Sequence, residues 1–337
     1  MSKSVAICGG GAIGHIVSGV LGASGDISVN ILSSSASQWQ DTVTVTDCAG
    51  KVFNGKIAKV SSDAGEIIPG CDIVFLCVPG YLIEAVLQKI KPHLSSGSMV
   101  GACVASSGFF FIAEKVLGDK FPLFGFQRVP YIARVCEYGR TANLLGYKKE
   151  LWLGHRYCEN PEKLVLFWQS CLKTSVKLLP SFYDAALSNS NPILHPSRLF
   201  GMWHNWQDGI VYPSQTLFYE EWDDFSSEIL IACDEDFFNV IRHYPCTPGA
   251  IPRLLDYYES KSPADLSRKL RSISAFKGIT APMKMLDGGF IPDITNRYFT
   301  EDIPYGMQII KDLAVRASQE TPGIDVILQW YSNLTEK

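Results

Sequence analysis

An asparagine and a histidine four residues apart, in Asn191-Pro192-Ile193-Leu194-His195-Pro196, are the residues of this chain best suited to carbonyl chemistry. On a helix that spacing puts both side chains on one face. One could hold a carbonyl group and the other protonate it while a nicotinamide delivers hydride. The flanking prolines would bend the helix and fix the direction of both side chains. His195 is one of six histidines. His15 falls within an early helix, His93 at a helix end, His155 after a turn, and His204 and His243 among aromatic residues. All of these have ordinary structural or surface readings. His195 differs in having a polar partner one turn before it. The bland alternative is a helix break with an incidental histidine.

A second constellation lies a hundred residues on, in Asn296-Arg297-Tyr298-Phe299-Thr300-Glu301-Asp302-Ile303-Pro304-Tyr305-Gly306. Arg297 suits a planar carboxylate, because a guanidinium can bind both oxygens at once. Asp302 falls where a helix from Pro304 begins. Its ordinary reading is an N-terminal cap, shared with Thr300 and Glu301.

Near the start stands Gly9-Gly10-Gly11-Ala12-Ile13-Gly14, after an apolar strand and before a helix, as the dinucleotide fingerprint G-x-G-x-x-G requires. Gly9 permits a tight turn, Gly11 lets the backbone approach a pyrophosphate, and Gly14 lets helix and strand pack closely. The pyrophosphate would rest on the helix N-terminus at Ala12 and Ile13. The run Asp72 to Pro79 reads as a buried parallel strand whose C-terminal end, Val78 and Pro79, opens on the same ligand. The second strand should end in an acid if the ribose 2′-hydroxyl of NAD is bound. Ser33, Ser34 and Ser35 stand there instead, which removes the repulsion of a 2′-phosphate and favours NADP(H) over NAD(H).

The elements that must position these groups change character along the chain. Strands are expected at Ser4 to Cys8, Ile27 to Ile31, Thr42 to Thr46, Lys51 to Phe53, Ile57 to Val60, Met99 to Val104, Phe121 to Phe126, Leu151 to Leu153 and Val176 to Leu179. Helices are expected between them at His15 to Ala23, Leu82 to Leu94, Phe109 to Leu117 and Pro161 to Leu172. After Pro180 the pattern is helical throughout: Phe182 to Trp206, Tyr219 to Tyr244, Ala250 to Tyr258, Ala264 to Phe276, Pro304 to Ser318 and Ile324 to Leu334. The expected fold is an α/β, doubly wound Rossmann-type domain over 1–180, then an all-α substrate and catalytic domain over 181–337.

Bulk properties narrow the function. Apolar residues make up 47% of the 337 and charged residues 19%, as in a soluble globular enzyme. A net charge of −4 offers no case for nucleic acid or an anionic membrane, so neither is an expected partner. The ten cysteines show no C-x-x-C pair and no zinc spacing, so no metal is expected. Met1-Ser2-Lys3-Ser4 runs straight into a strand, and no apolar run spans a bilayer; a cytoplasmic location is expected. The sequence leaves a homodimer open.

Taken together, the loop at Gly9 to Gly14, the N-x-x-x-H-P of Asn191 to Pro196 and the R-Y-x-T-E-D-x-P-Y-G of Arg297 to Gly306 resemble the opine dehydrogenase family: octopine, nopaline and related N-carboxyalkyl amino acid dehydrogenases. The resemblance spans both domains. It implies that an amino acid's amine condenses with a 2-keto acid and that the imine is reduced by NAD(P)H. It further implies His195 as acid/base, Asp302 as its carboxylate partner, Arg297 as carboxylate clamp and Asn191 as a substrate contact. Such a carboxylate favours the imidazolium that acid catalysis needs. The segment Gly125 to Pro130, with Arg134, also looks familial. Two rivals stand beside this reading. A 2-keto acid reductase of the ketopantoate type would carry a lysine four residues before an asparagine; Leu187 holds that place before Asn191. A non-catalytic dinucleotide-binding sensor would be free to lose His195, Asp302 and Arg297.

Overall fold

Runs of β-branched and aromatic residues bounded by Gly, Pro and Asp build the first half of the chain, and they do so around one parallel sheet. The structure, a computed structural model, describes residues 3–106 and 108–335, so Met1 and Ser2 of the opening segment lie outside the described residues. The chain divides into two units, Met1–Ser188 and Asn189–Lys337.

The strands of the first unit are β1 (Lys3–Cys8), β2 (Ile27–Leu32), β3 (Thr42–Asp47), β4 (Val52–Lys56), β5 (Lys59–Ser61), β6 (Ile73–Leu76), β7 (Met99–Cys103), β8 (Leu123–Phe126), β9 (Tyr131–Glu137), β10 (Thr141–Tyr147), β11 (Glu150–Arg156) and β12 (Ser175–Leu178). Along the main sheet, β5-β2-β1-β6-β7-β8 is parallel throughout and has the 3-2-1-4-5-6 order of dinucleotide-binding sheets. β11 joins β8 antiparallel, and β12 follows it in parallel. Val5, Ile7, Val29, Ile31, Ile73 and Phe75 are all essentially inaccessible. Each such side chain contributes about 1.5–3 kcal/mol through burial. Phe75 packs under Trp168 of the helix Pro161–Leu172, with ring centres 4.7 Å apart.

A second sheet, β4-β3-β10-β9, covers the helix Ala12–Gly22 on its far side. That explains why Gly14 through Gly22 are all buried, and why Gly19 admits no side chain: a β-carbon there would stand 2.4 Å from Val45 Cγ2. The sequence reading lacked β9 and β10. Their alternation is obscured by apolar residues on the outer face, where Ile132 is 56% and Leu145 48% exposed.

In the second unit, helices Asn191–Trp203, Asp224–Ile241, Pro263–Ser272, Gln308–Arg316 and Pro322–Thr335 supply the framework. The expected helix from Phe182 to Trp206 is broken at 188–190, and its first part, Phe182–Leu187, packs on β11 of the first unit. The helical half also holds a hairpin that the sequence reading did not contain, β13 (Met283–Leu286) and β14 (Gly289–Pro292). Its turn, at Asp287-Gly288, is a standard hairpin signal, with Gly288 at φ +96°. Most of β13 is exposed and β14 is mostly half-buried, so neither strand shows the apolar alternation that would have marked it.

Candidate active site

The helix Asn191–Trp203 tolerates both of its prolines. Pro192 lies in the first turn, where a missing N–H costs nothing. The amides of Ile193 and Leu194 both donate to the Ser190 carbonyl, at 3.0 and 2.8 Å. Pro196 lies a turn further in and deprives the Pro192 carbonyl of its helical donor. His195 sits between them, 4% exposed. Asn191 is half-buried one turn earlier, and its side-chain amide has no hydrogen bond among the described residues.

Asp302 comes to His195 through a compact turn. Asn296 Oδ1 accepts from the Tyr298 amide at 3.0 Å and caps the short helix Arg297–Thr300. A π-turn, Ile303–Met307, follows, with the Met307 amide donating to the Asp302 carbonyl at 2.8 Å. Gly306 of this turn lies on Pro192, where a β-carbon would stand 2.8 Å from the ring. The Asp302 side chain makes no cap. Its Oδ2 lies 2.7 Å from His195 Nδ1 instead, with side chains only 12% and 5% exposed. The spacing of two distant motifs therefore resolves into one buried acid–imidazole contact.

Two tyrosines to which the sequence analysis gave no role complete the surroundings. Tyr219 Oη lies 2.9 Å from His195 Nε2. The Tyr298 ring stacks on the imidazole at 4.0 Å and 24°. Burial pushes both phenols above their ordinary range, Tyr219 the further. Tyr219 was expected inside a helix, but that helix starts at Asp224, because Asp223 caps it by accepting from the Ser226 amide at 2.7 Å. The preceding segment is drawn off by Arg198, 2% exposed, which also pairs with Asp223 at 2.7 Å. Trp203 and Trp222 are core, at 2% and 0% exposure. Tyr298 stood within the recognisable motif beside Arg297, and its place there was the one available signal.

Arg297 is exposed, with no ion pair or side-chain hydrogen bond among the described residues. It borders a cavity of about 420 Å³ together with Gln215, Thr280, Met283, Asn296 and Tyr298. A free guanidinium facing a cavity of this size suits a small carboxylate.

In the first unit the glycine loop has the shape a dinucleotide needs. Gly9, at φ +121°, lies so close to the end of the β6 strand run that a β-carbon would meet Cys77 O at 2.5 Å and Val78 Cγ1 at 2.9 Å. Pro79 then opens the helix Gly80–Ile90. At Gly14 a β-carbon would stand 2.2 Å from Gly9 O. Gly11 differs: nothing lies within 4 Å of its β-position, and the helix that starts with Ala12 and Ile13 has no side-chain cap. Open space and an uncapped N-terminus fit a pyrophosphate. Ser33 is buried, its Oγ 3.2 Å from the Tyr138 hydroxyl, whereas Ser34 is exposed. Tyr138, from the unforeseen β9–β10 turn, also explains Gly10, where a β-carbon would stand 2.0 Å from its hydroxyl. His15 ties that turn down, with Nε2 accepting from the Gly139 amide at 2.7 Å and Nδ1 lying 3.0 Å from Gly11 O.

Comparison with known proteins agrees with this geometry. A family model described as NAD/NADP octopine/nopaline dehydrogenase, alpha-helical domain, matches 178–335, and one described as ketopantoate reductase PanE/ApbA matches 5–104. Octopine dehydrogenase of Pecten maximus is 28% identical over 98% of this chain and 90% of its own length. Tauropine dehydrogenase of Arabella iricolor is 29% identical over 98% and 91%. A solved structure of octopine dehydrogenase with NADH and L-arginine superposes with a TM-score of 0.86 at 27% identity, covering 99% of this chain and 90% of that one. Yersinopine dehydrogenase with NADP+, at 11% identity and a TM-score of 0.71, shares the fold.

The parallel sheet, its glycine loop and the helical unit define an oxidoreductase that uses a nicotinamide dinucleotide. Within that class the helical unit matches the octopine/nopaline dehydrogenase model, and the chain along almost its whole length is similar to opine dehydrogenases, oxidoreductases that act on CH–NH donors.

Proposed function

We propose that this enzyme joins the amine of an amino acid to a 2-keto acid and reduces the imine, with His195 and Asp302 as its acid–base pair. The observation that carries the reading is the 2.7 Å contact between the two in a nearly dry setting. A carboxylate on Nδ1 fixes the imidazole tautomer and supports the imidazolium, leaving Nε2 to serve the substrate side. Proton transfer of this kind contributes roughly 10²–10⁴-fold. Arg297, bordering its cavity, clamps the keto acid carboxylate, and Asn191 offers its unbonded amide to the substrate.

Gly9, Gly11, Ala12, Ile13 and Gly14 hold the pyrophosphate of the dinucleotide, with Val78 and Pro79 beside it and Ser33 and Ser34 at the ribose. When bound, the dinucleotide supplies the hydride. NADP(H) is preferred to NAD(H), because no carboxylate stands at Ser33 to Ser35 and Ser34 presents a free surface. Relatives solved with NADH and L-arginine, or with NADH and pyruvate, direct the first assays.

The test is nicotinamide oxidation with pyruvate, with and without a panel of amino acids, using NADPH and NADH at equal concentration. Turnover that requires both organic substrates supports the reading. Equal turnover with pyruvate alone would make the enzyme a simple keto acid reductase. A clear preference for NADH would end the NADP(H) assignment.

A further inference from the structure

Both ring nitrogens of His195 are engaged inside the helical unit, Nδ1 by Asp302 at 2.7 Å and Nε2 by the Tyr219 hydroxyl at 2.9 Å. The phenol is held from several directions. Its ring stacks on Phe276 at 4.0 Å and 17°, with Trp222 parallel to it at 6.1 Å. Arg198 donates from Nε to the Phe218 carbonyl at 3.0 Å and from Nη2 to the Glu221 carbonyl at 2.6 Å, which fixes the chain on either side of Tyr219. Arg198 lies one turn after His195 on the same helix, so one element positions both the imidazole and the phenol.

A substrate oxygen that approached Nε2 directly would evict this hydroxyl and leave it unpaired among aromatic rings, a costly exchange. The hydroxyl itself offers a cheaper route. It has one donor and two acceptor positions, and its one partner among the described residues is His195. When His195 carries both protons, Nε2–H donates to Oη, and the phenolic O–H is released to donate to a reactant.

We propose that Tyr219 is itself a catalytic residue, passing the proton between the substrate oxygen and Nε2 of His195. This deepens the reading above and rests on it. In the condensation, the Tyr219 O–H bond breaks as its proton passes to the hydroxyl of the carbinolamine. The C–O bond breaks, water leaves, and the nitrogen lone pair closes the C=N bond. At the same time the Nε2–H bond of His195 breaks and restores the phenol. The positive charge moves from imidazolium to iminium, and Asp302 stays a carboxylate throughout. Burial holds the Tyr219 phenol protonated, so the two transfers are coupled and no phenolate accumulates.

Tyr219→Phe keeps the stacked ring and deletes the hydroxyl. The relay predicts a fall in kcat of about 100-fold, with the protein still folded and dinucleotide Kd unchanged. It also predicts a bowed proton inventory for the parent enzyme in H2O–D2O mixtures, from two protons in flight, and a straight one for Tyr219→Phe. A kcat within about threefold of the parent, or a fall in rate with the shape of the inventory unchanged, overturns the relay and leaves Tyr219 a prop for the imidazole. The comparison is run with pyruvate alone and with pyruvate plus L-arginine. A substrate oxygen receives a proton in either reaction. Failure of the condensation reading therefore appears as turnover with pyruvate alone, while the relay is judged from Tyr219→Phe in the reaction that proceeds.

Discussion

Gly306 lies against Pro192 so closely that a β-carbon on it would stand 2.8 Å from the proline ring. This contact joins the two halves of the catalytic constellation. Pro192 is three residues before His195, Gly306 is four after Asp302, and their approach sets the distance between imidazole and carboxylate. Gly306→Ala is expected to force the π-turn outward, at a cost of about 1–3 kcal/mol from overpacking. Turnover should fall more than the lost stability explains, because the acid–imidazole contact opens. Melting temperature and kcat measured on the same preparation check this; a fully active Gly306→Ala enzyme would show that the contact is dispensable.

Arg297→Lys tests the clamp. The charge stays, but a point charge replaces a planar fork. The KM for the keto acid is expected to rise by about tenfold to a hundredfold, the loss of one or two charge-assisted bonds. Dinucleotide affinity should be unchanged. Steady-state kinetics that show no change in KM would remove Arg297 from the site.

His15 gives the first unit an acid-sensitive tie. Its Nε2 accepts the Gly139 amide, so Nε2 carries no proton and Nδ1 donates to Gly11 O. Burial holds the ring below its ordinary value of 6.5, against an opposing effect of the Gly11 carbonyl. With the folded value depressed, the unfolded chain takes up the proton first. The stabilisation is therefore complete above about pH 6.5 and is lost as pH falls below it. Protonation also breaks the Gly139 bond and frees the β9–β10 turn that carries Tyr138 onto the glycine loop. His15→Phe should flatten the difference in melting temperature between pH 7.5 and 5.5 relative to the parent. Identical pH dependence in the two proteins would contradict this.

Much of this was legible from local pattern. The glycine loop, the buried parallel strands and the helices Phe109–Leu117 and Pro161–Leu172 announce themselves by apolar runs and punctuation. His195 and Arg297 stood out by residue type and spacing, whereas Asp302 read locally as a helix cap and was tied to His195 only through the family resemblance; the two meet across 107 residues. Tyr219, Arg198 and Tyr138 were not found. Each acts through a tertiary contact: Arg198 holds carbonyls twenty and more residues away, and Tyr138 rides on a hairpin whose apolar outer face hid its period. Gly10 and Gly306 looked like a fingerprint filler and a helix residue. Their meaning lay in what presses against them, which no local window contains.

The central claim is that His195 and Asp302 act as one unit, and Asp302→Asn tests it most directly. The amide preserves shape and a hydrogen bond but removes the charge beside Nδ1. Turnover should fall by at least about a hundredfold while the melting temperature moves little, since Asp302 makes no helix cap here. His195→Ala combined with Asp302→Asn should lose little more than the worse single variant, as groups that act together are non-additive. Turnover and melting temperature read on the same samples decide it: a folded Asp302→Asn enzyme with full activity would contradict the account.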